Sequence, residues 1–275
     1  MKTECNICPH RCKLSEGQLG LCNGRICKDG KVISENYGRI TSMALDPIEK
    51  KPLYHFNPGS KILSVGSYGC NLRCPWCQNH DISMVKGTEI DYGNTTAEAL
   101  FNQAYELKGR GNIGIAYTYN EPLIGYEFVK DTSTLAKEKG LKNVVVTGGF
   151  ICEEPLRELL PLVDAFNIDL KGFSQDFYKK LKGDLETVKN TIATTAAHCH
   201  VEVTTLIIPG DNDSEEEMEA LSSWLSSVRP DIPLHVSRFF PRWRMQDKEA
   251  TPIETVYRLA EIARRKLKHV YEGNC

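Results

Sequence analysis

The sequence predicts an α/β fold on a parallel sheet, with a small Cys-rich segment ahead of it. Three observations carry this. Short β-branched runs alternate with amphipathic stretches six times from residue 61 onward. Residues 1 to about 30 are rich in Cys and Gly and show almost no hydrophobic periodicity. The connection after the first strand, about 68–95, far exceeds the usual 2–6 residues or so, and such loops are functional.

Taken in order, the N-terminal segment cannot build a core alone and needs a staple, most simply a metal. Residues 31–60 read as a connector, interrupted by Pro47, Pro52 and Pro58, with no long regular element. Strands are expected at 61–67, 113–118, 143–147, 165–170, 201–208 and 234–239. Helices are expected at 96–108, 123–139, 154–162, 187–197, 214–227 and 252–268. Ser214 followed by Glu217 gives the fifth helix a capping-box signature. Right-handed crossovers then make the sheet either open and doubly wound or curled into a barrel. In either form, function gathers at the C-terminal ends of the strands. The division drawn is 1–60, extension and connector, and 61–275, the main unit.

The 275 residues carry 34 Lys+Arg against 36 Asp+Glu, a net charge of −2, which argues against a dedicated nucleic-acid binder. The longest uncharged run, 190–201, has 12 residues, too few for a membrane span. No apolar stretch follows Lys2, so no secretory signal is read and a cytoplasmic setting with reduced thiols is expected. Eight of the 11 cysteines fall in two clusters, the usage of a metal binder.

The long loop opens with Gly69-Cys70-Asn71-Leu72-Arg73-Cys74-Pro75-Trp76-Cys77-Gln78-Asn79. Thiolates are the natural ligands of iron–sulfur clusters, and a cubane takes one ligand per iron. Three cysteines leave one iron open, by the logic that separates catalytic from structural metal sites. The competing reading is zinc on Cys70, Cys74, Cys77 and His80.

This C-x3-C-x-aromatic-C pattern after a strand resembles the radical S-adenosylmethionine (SAM) superfamily. The resemblance implies a partial (β/α)6 TIM-type barrel, a 4Fe–4S cluster on Cys70, Cys74 and Cys77, and SAM at the open iron. It further implies reductive cleavage of SAM to a 5′-deoxyadenosyl radical that abstracts hydrogen from a substrate. Tyr117-Thr118-Tyr119-Asn120-Glu121-Pro122, Asn167-Ile168-Asp169-Leu170-Lys171-Gly172 and Ile208-Pro209-Gly210-Asp211-Asn212-Asp213 narrow the likeness to the radical enzymes of the AmmeMemoRadiSam system, relatives of pyruvate formate-lyase activating enzymes. That likeness implies a protein substrate or partner, Memo-like or AMMECR-like, and a flavodoxin- or ferredoxin-type reductant. Glycyl-radical activases differ at several places. They carry Phe and Tyr where Gly66 and Trp76 stand, Gly-Gly-Glu at Tyr119-Asn120-Glu121, and an acid within Val146-Thr147-Gly148-Gly149. Because the chain stops at Cys275, no C-terminal metal element is expected.

Candidate SAM contacts follow from the same likeness. Trp76 would lie against the adenine, Asn120 and Glu121 would hold the α-amino group, and Asp169 and Lys171 would face the ribose and carboxylate. Glu121 could equally be a helix N-terminal acid, and Asp169–Lys171 a plain ion pair. Glu202 and Thr204 share a face of the fifth strand, and a buried glutamate needs a partner, so a ribose contact is assigned. His235 either reaches the SAM carboxylate or substrate or is a hydrogen-bonded core histidine.

Cys5, Cys8, Cys12 and Cys22 would satisfy zinc or an auxiliary iron–sulfur cluster. Zinc suits a staple and is preferred; iron–sulfur suits an electron relay or substrate anchor. Cys27 is spare, Cys152 and Cys199 read as small buried hydrophobes, and Cys275 as a frayed end. The segment Arg238-Phe239-Phe240-Pro241-Arg242-Trp243-Arg244 could grip a peptide or nucleobase, or pack its aromatics under the rim with its arginines solvated. The leading reading is a radical SAM oxidoreductase acting on a large, protein substrate. Its competitors are radical modification of a small molecule or RNA base, and a non-catalytic iron–sulfur or zinc scaffold.

Overall fold

Strands that are apolar on both faces need cover on both, and helices returning between parallel strands supply one side of it. A computed structural model describes residues 2–275 and gives the arrangement. Eight strands form one sheet: β1 (Ser42–Pro47), β2 (Lys61–Gly66), β3 (Asn112–Tyr117), β4 (Lys142–Thr147), β5 (Ala165–Asp169), β6 (His200–Ile207), β7 (Leu234–Arg238) and β8 (Val270–Gly273). Spatial order equals chain order, β1 and β8 being the two edges. All neighbours are parallel except β1, which runs antiparallel to β2. The result is the expected partial barrel, extended by one strand at each edge.

Those two additions depart from the sequence reading. Residues 31–60 hold β1 and the strand Lys31–Ser34, which pairs with Arg25–Lys28 in a hairpin. Strand β1 ends on Pro47, tolerated because an edge strand need not donate on both sides. Strand β8 is four residues long and ends in glycine, too short for a periodicity to show.

The crossover helices are α1 (Ala97–Glu106), α2 (Tyr126–Glu138), α3 (Glu153–Leu159), α4 (Gln175–Lys180), α5 (Leu185–Ala196), α6 (Glu215–Val228) and α7 (Ile253–Arg264). Short α4 is additional to the six expected. Ser214 caps α6 by accepting from the Glu217 N–H, but the Glu217 carboxylate turns away to accept from Phe173 N–H at 2.5 Å. Only half of the expected capping box therefore forms, and the other half ties α6 to the loop after β5. No helix among the described residues is long and apolar enough to cross a membrane.

Residues 48–60 fill the N-terminal end of the barrel. Ile48 and Leu53 are fully buried against Ile62, Ala116, Val144 and Ala165, and Phe56 packs beside them. The alanines leave the room, and each buried aliphatic side chain contributes about 2 kcal/mol. The Cys-rich segment docks through Arg25, whose buried guanidinium makes a two-pronged pair with Glu127 of α2 at 2.8 and 2.7 Å.

Candidate functional site

Strand β2 delivers the cysteine loop to the C-terminal mouth of the barrel. The turn is made by Gly69 at φ +86°, where an added Cβ would stand 2.4 Å from the Cys22 carbonyl oxygen. Only glycine fits there. Gly69→Ala is expected to cost at least about 2 kcal/mol and to separate the loop from the N-terminal segment, read as a lower melting temperature and poorer iron retention. An unchanged melt would refute the close approach.

Arg73 latches the loop. Its Nη1 donates to the carbonyls of Cys70 at 2.6 Å and Leu72 at 2.9 Å, and its Nη2 to Leu21. Cys74 is buried, Cys70 and Cys77 half-buried, and none is in a disulfide. Burial pushes the Cys70 thiol well above its ordinary value, with charge from Glu121, Cys74 and Cys77 adding to the effect. Burial likewise holds Cys74 up at about 11, although Lys171 partly offsets it. Three thiols buried in this way are poor thiolates alone and become good ones beside a cation, which is what an iron–sulfur cluster offers. The donor set fits that group. His80 does not join it: Nδ1 lies 3.1 Å from the Cys77 carbonyl and Nε2 3.0 Å from Asp81, so neither nitrogen is spare for zinc.

Around the loop stand some of the expected residues. Asp169 and Lys171 leave β5 as a pair, Nζ to Oδ2 at 2.5 Å. Burial alone would lower the Lys171 ammonium, but Asp169 and Cys74 hold it above its ordinary value. Glu121 is buried near Cys70 with both oxygens engaged: Oε1 accepts from Leu123 N–H and from Thr147 at 2.7 Å, and Oε2 from Gly148 N–H at 2.8 Å. It thus acts as the N-terminal acid of the following turn and a clamp on the end of β4. Asn120 pins the loop by accepting from Ser67 N–H and donating to the carbonyls of Tyr68 and Gly69. Trp76 is buried and stacks on Phe177 at 5.6 Å.

Glu202 and His235 are not brought to the mouth, whereas Thr204 stands level with Asp169 in the β5–β6 register. Glu202 lies low in β6, fully buried, and accepts from Tyr54 N–H (3.0 Å), His55 N–H (2.7 Å), His200 Nε2 (2.9 Å) and His235 Nε2 (2.7 Å). The Thr204 hydroxyl pairs with Asn167, which donates onward to the Pro52 carbonyl. These residues hold the segment that fills the base, and His235 is a hydrogen-bonded core histidine. Sequence reasoning also missed Asp46, which accepts from Lys51 at 2.9 Å and Tyr119 at 2.9 Å and is held down at about 2, burial opposing and Lys51 prevailing. Its only signal lay inside the supposed connector.

Beside the loop opens a cleft of about 520 Å³, walled by Pro75, Trp76, Phe177, Lys180, Lys182 and Arg244. Its acid, Asp211, is already paired with Lys248 at 2.6 Å, so the cleft is net cationic. From the basic–aromatic segment, Phe239 is buried beneath the rim, Arg244 lies over the Trp243 ring at 4.4 Å, and Phe240 stays exposed.

A family model described as the radical SAM superfamily matches residues 64–223. The chain is 42% identical to an uncharacterized protein of Methanocaldococcus jannaschii, over 99% of this chain and 81% of that one. It is 28% identical to the pyruvate formate-lyase-activating enzyme of Clostridium pasteurianum, over 58% of this chain and 68% of that one. Among solved structures, a radical SAM methyltransferase from Sphaerobacter thermophilus superimposes with a TM-score of 0.61 at 18% identity, over 79% of this chain and 67% of that one.

Proposed function

This chain belongs to the radical SAM superfamily, and from that premise we propose that it abstracts hydrogen from a protein substrate in the manner of an activating enzyme. The observation that carries the proposal is the three-thiol loop at the mouth of the barrel, set beside a cationic cleft of about 520 Å³. When bound, the 4Fe–4S cluster and SAM supply a one-electron cleavage that yields methionine and a 5′-deoxyadenosyl radical.

The chain's own residues have the remaining tasks. Cys70, Cys74 and Cys77 would hold three irons of the cluster, and Arg73 fixes the backbone that carries these cysteines. Asp169 and Lys171 are assigned to the ribose and carboxylate of SAM, with Asn120 and Glu121 shaping the site by anchoring the loop and the β4 end. Trp76, buried on Phe177, would lie against the adenine of SAM and forms part of the cleft wall. The cleft suits an acidic segment of a protein such as a Memo-like or AMMECR-like partner, and a flavodoxin- or ferredoxin-type donor would reduce the cluster. The relative from Clostridium pasteurianum, by its name, activates an enzyme, which supports a protein substrate here.

Oxygen-free protein given dithionite and SAM is expected to release 5′-deoxyadenosine, and label from the true substrate in deuterated form should appear in it. No cleavage by protein with an intact cluster would sink the reading. Label arriving from a small molecule or an RNA base would replace the protein substrate. Asp169→Asn is expected to raise the SAM concentration needed about tenfold or more while iron content holds, the worth of one charge-assisted contact. A SAM titration of the reduced cluster's paramagnetic signal checks it.

A further inference from the structure

The cysteines of the N-terminal segment have no part in that chemistry, yet they are gathered. Cys5, Cys8 and Cys22 are buried and Cys12 half-buried. Cys5 N–H donates to the Cys12 carbonyl at 2.9 Å, and a Cβ on Gly20 would lie 3.7 Å from Cys22 Sγ and 3.9 Å from Cys12 Sγ. Cys12 and Cys22 thus converge on Gly20, Cys5 is tied to Cys12, and Cys8 is buried in the turn between them, closed by Arg11 N–H on the Cys8 carbonyl at 3.1 Å. Cys27, though buried, faces Glu16 instead.

Spacing separates the two metals that four thiols could hold. Around one zinc at about 2.3 Å, tetrahedral thiolates sit only about 3.8 Å apart. Among the described residues, no three His, Cys, Asp or Glu side chains close on a single ion in that way. The same holds for Cys70, Cys74 and Cys77, and a cubane, which gives each cysteine its own iron, spreads its ligands more widely. The two thiol groups are also joined: Cys70 N–H donates to the Cys22 carbonyl at 3.1 Å, Arg73 spans Leu21 and Cys70, and His10 Nε2 lies 2.8 Å from the Asn71 carbonyl.

We propose that Cys5, Cys8, Cys12 and Cys22 hold a second 4Fe–4S cluster, in place of the zinc preferred from sequence alone. All four of its irons are ligated by protein, so it exchanges electrons but offers no site for SAM. The proposal is independent of what the substrate is.

Anaerobic protein reconstituted with iron and sulfide, then analysed for iron, sulfide and zinc, is expected to hold about eight irons per chain. A Cys8→Ser/Cys12→Ser variant should hold about four and keep a paramagnetic signal that SAM alters. A Cys70→Ala/Cys74→Ala/Cys77→Ala variant should also hold about four, with a signal indifferent to SAM, and it decides the matter alone if the first variant does not fold. About four irons in the unaltered chain, with or without a zinc, overturns the proposal, as does an iron-free triple variant. Loss of the SAM response in the unaltered chain would count against the proposed reaction instead, and leaves the iron count of the triple variant as a separate reading.

Discussion

Cys74→Ala is expected to lower 5′-deoxyadenosine release by at least roughly a thousandfold, a barrier increase of about 4 kcal/mol. Cys74 is the most deeply buried of the three loop thiols, so water cannot replace it as a ligand. Burial holds its thiol at about 11, which makes the metal and the thiolate mutually dependent. Two ligands would remain, and a cubane held at two corners is open to solvent and loss. The side chain is small and the alanine leaves the loop's backbone bonds in place, so the melting curve of the metal-free chain should barely move. Retained SAM cleavage in this variant would remove the loop from the chemistry.

Glu202→Ala should produce the largest stability loss, about 3–5 kcal/mol, because it strands four donors at once, His235 fully buried and the other three part-buried. The carboxyl is held at about 2 despite burial, through the two histidines and the two backbone N–H groups that bond to it. Against an ordinary value of 4.5, a depressed pKa means the stabilisation is complete above pH 4.5 and drains away as pH falls toward 2. The difference amounts to about 3 kcal/mol. Glu202→Gln keeps the volume and should lose the acid-dependent part of stability in that window. Urea midpoints measured across pH 2–5 test it; a Gln variant with the parent's acid dependence would disprove the assignment.

Much of the barrel is legible in the sequence because its signals are local. Six β-branched runs and their intervening helices can be found within windows of a dozen residues, and Cys70, Cys74 and Cys77 sit within eight positions. What escaped was non-local or short. Strand β1 looks like a Pro-broken connector until β2 pairs with it. A glutamate on the fifth predicted strand needs a partner, but the sequence does not give the direction, since the backbone donors to Glu202 lie 147 and 148 residues upstream. Alternation tells which face a side chain takes and not which end of the barrel its partner occupies. Glu121 and Thr147 illustrate the same limit: their bond links the ends of two strands that no local pattern connects.

The filled base of the barrel has a kinetic corollary. With Ile48, Leu53 and Phe56 seated below and Tyr54 and His55 fastened to Glu202, the base is closed and the mouth with the cysteine loop lies at the opposite end. For the proposed reaction, reagents and spent fragments then have the mouth, and not the base, as their way in and out. A large substrate docked across it would trap whatever lies beneath, which imposes a compulsory queue: the small molecule enters first and departs last.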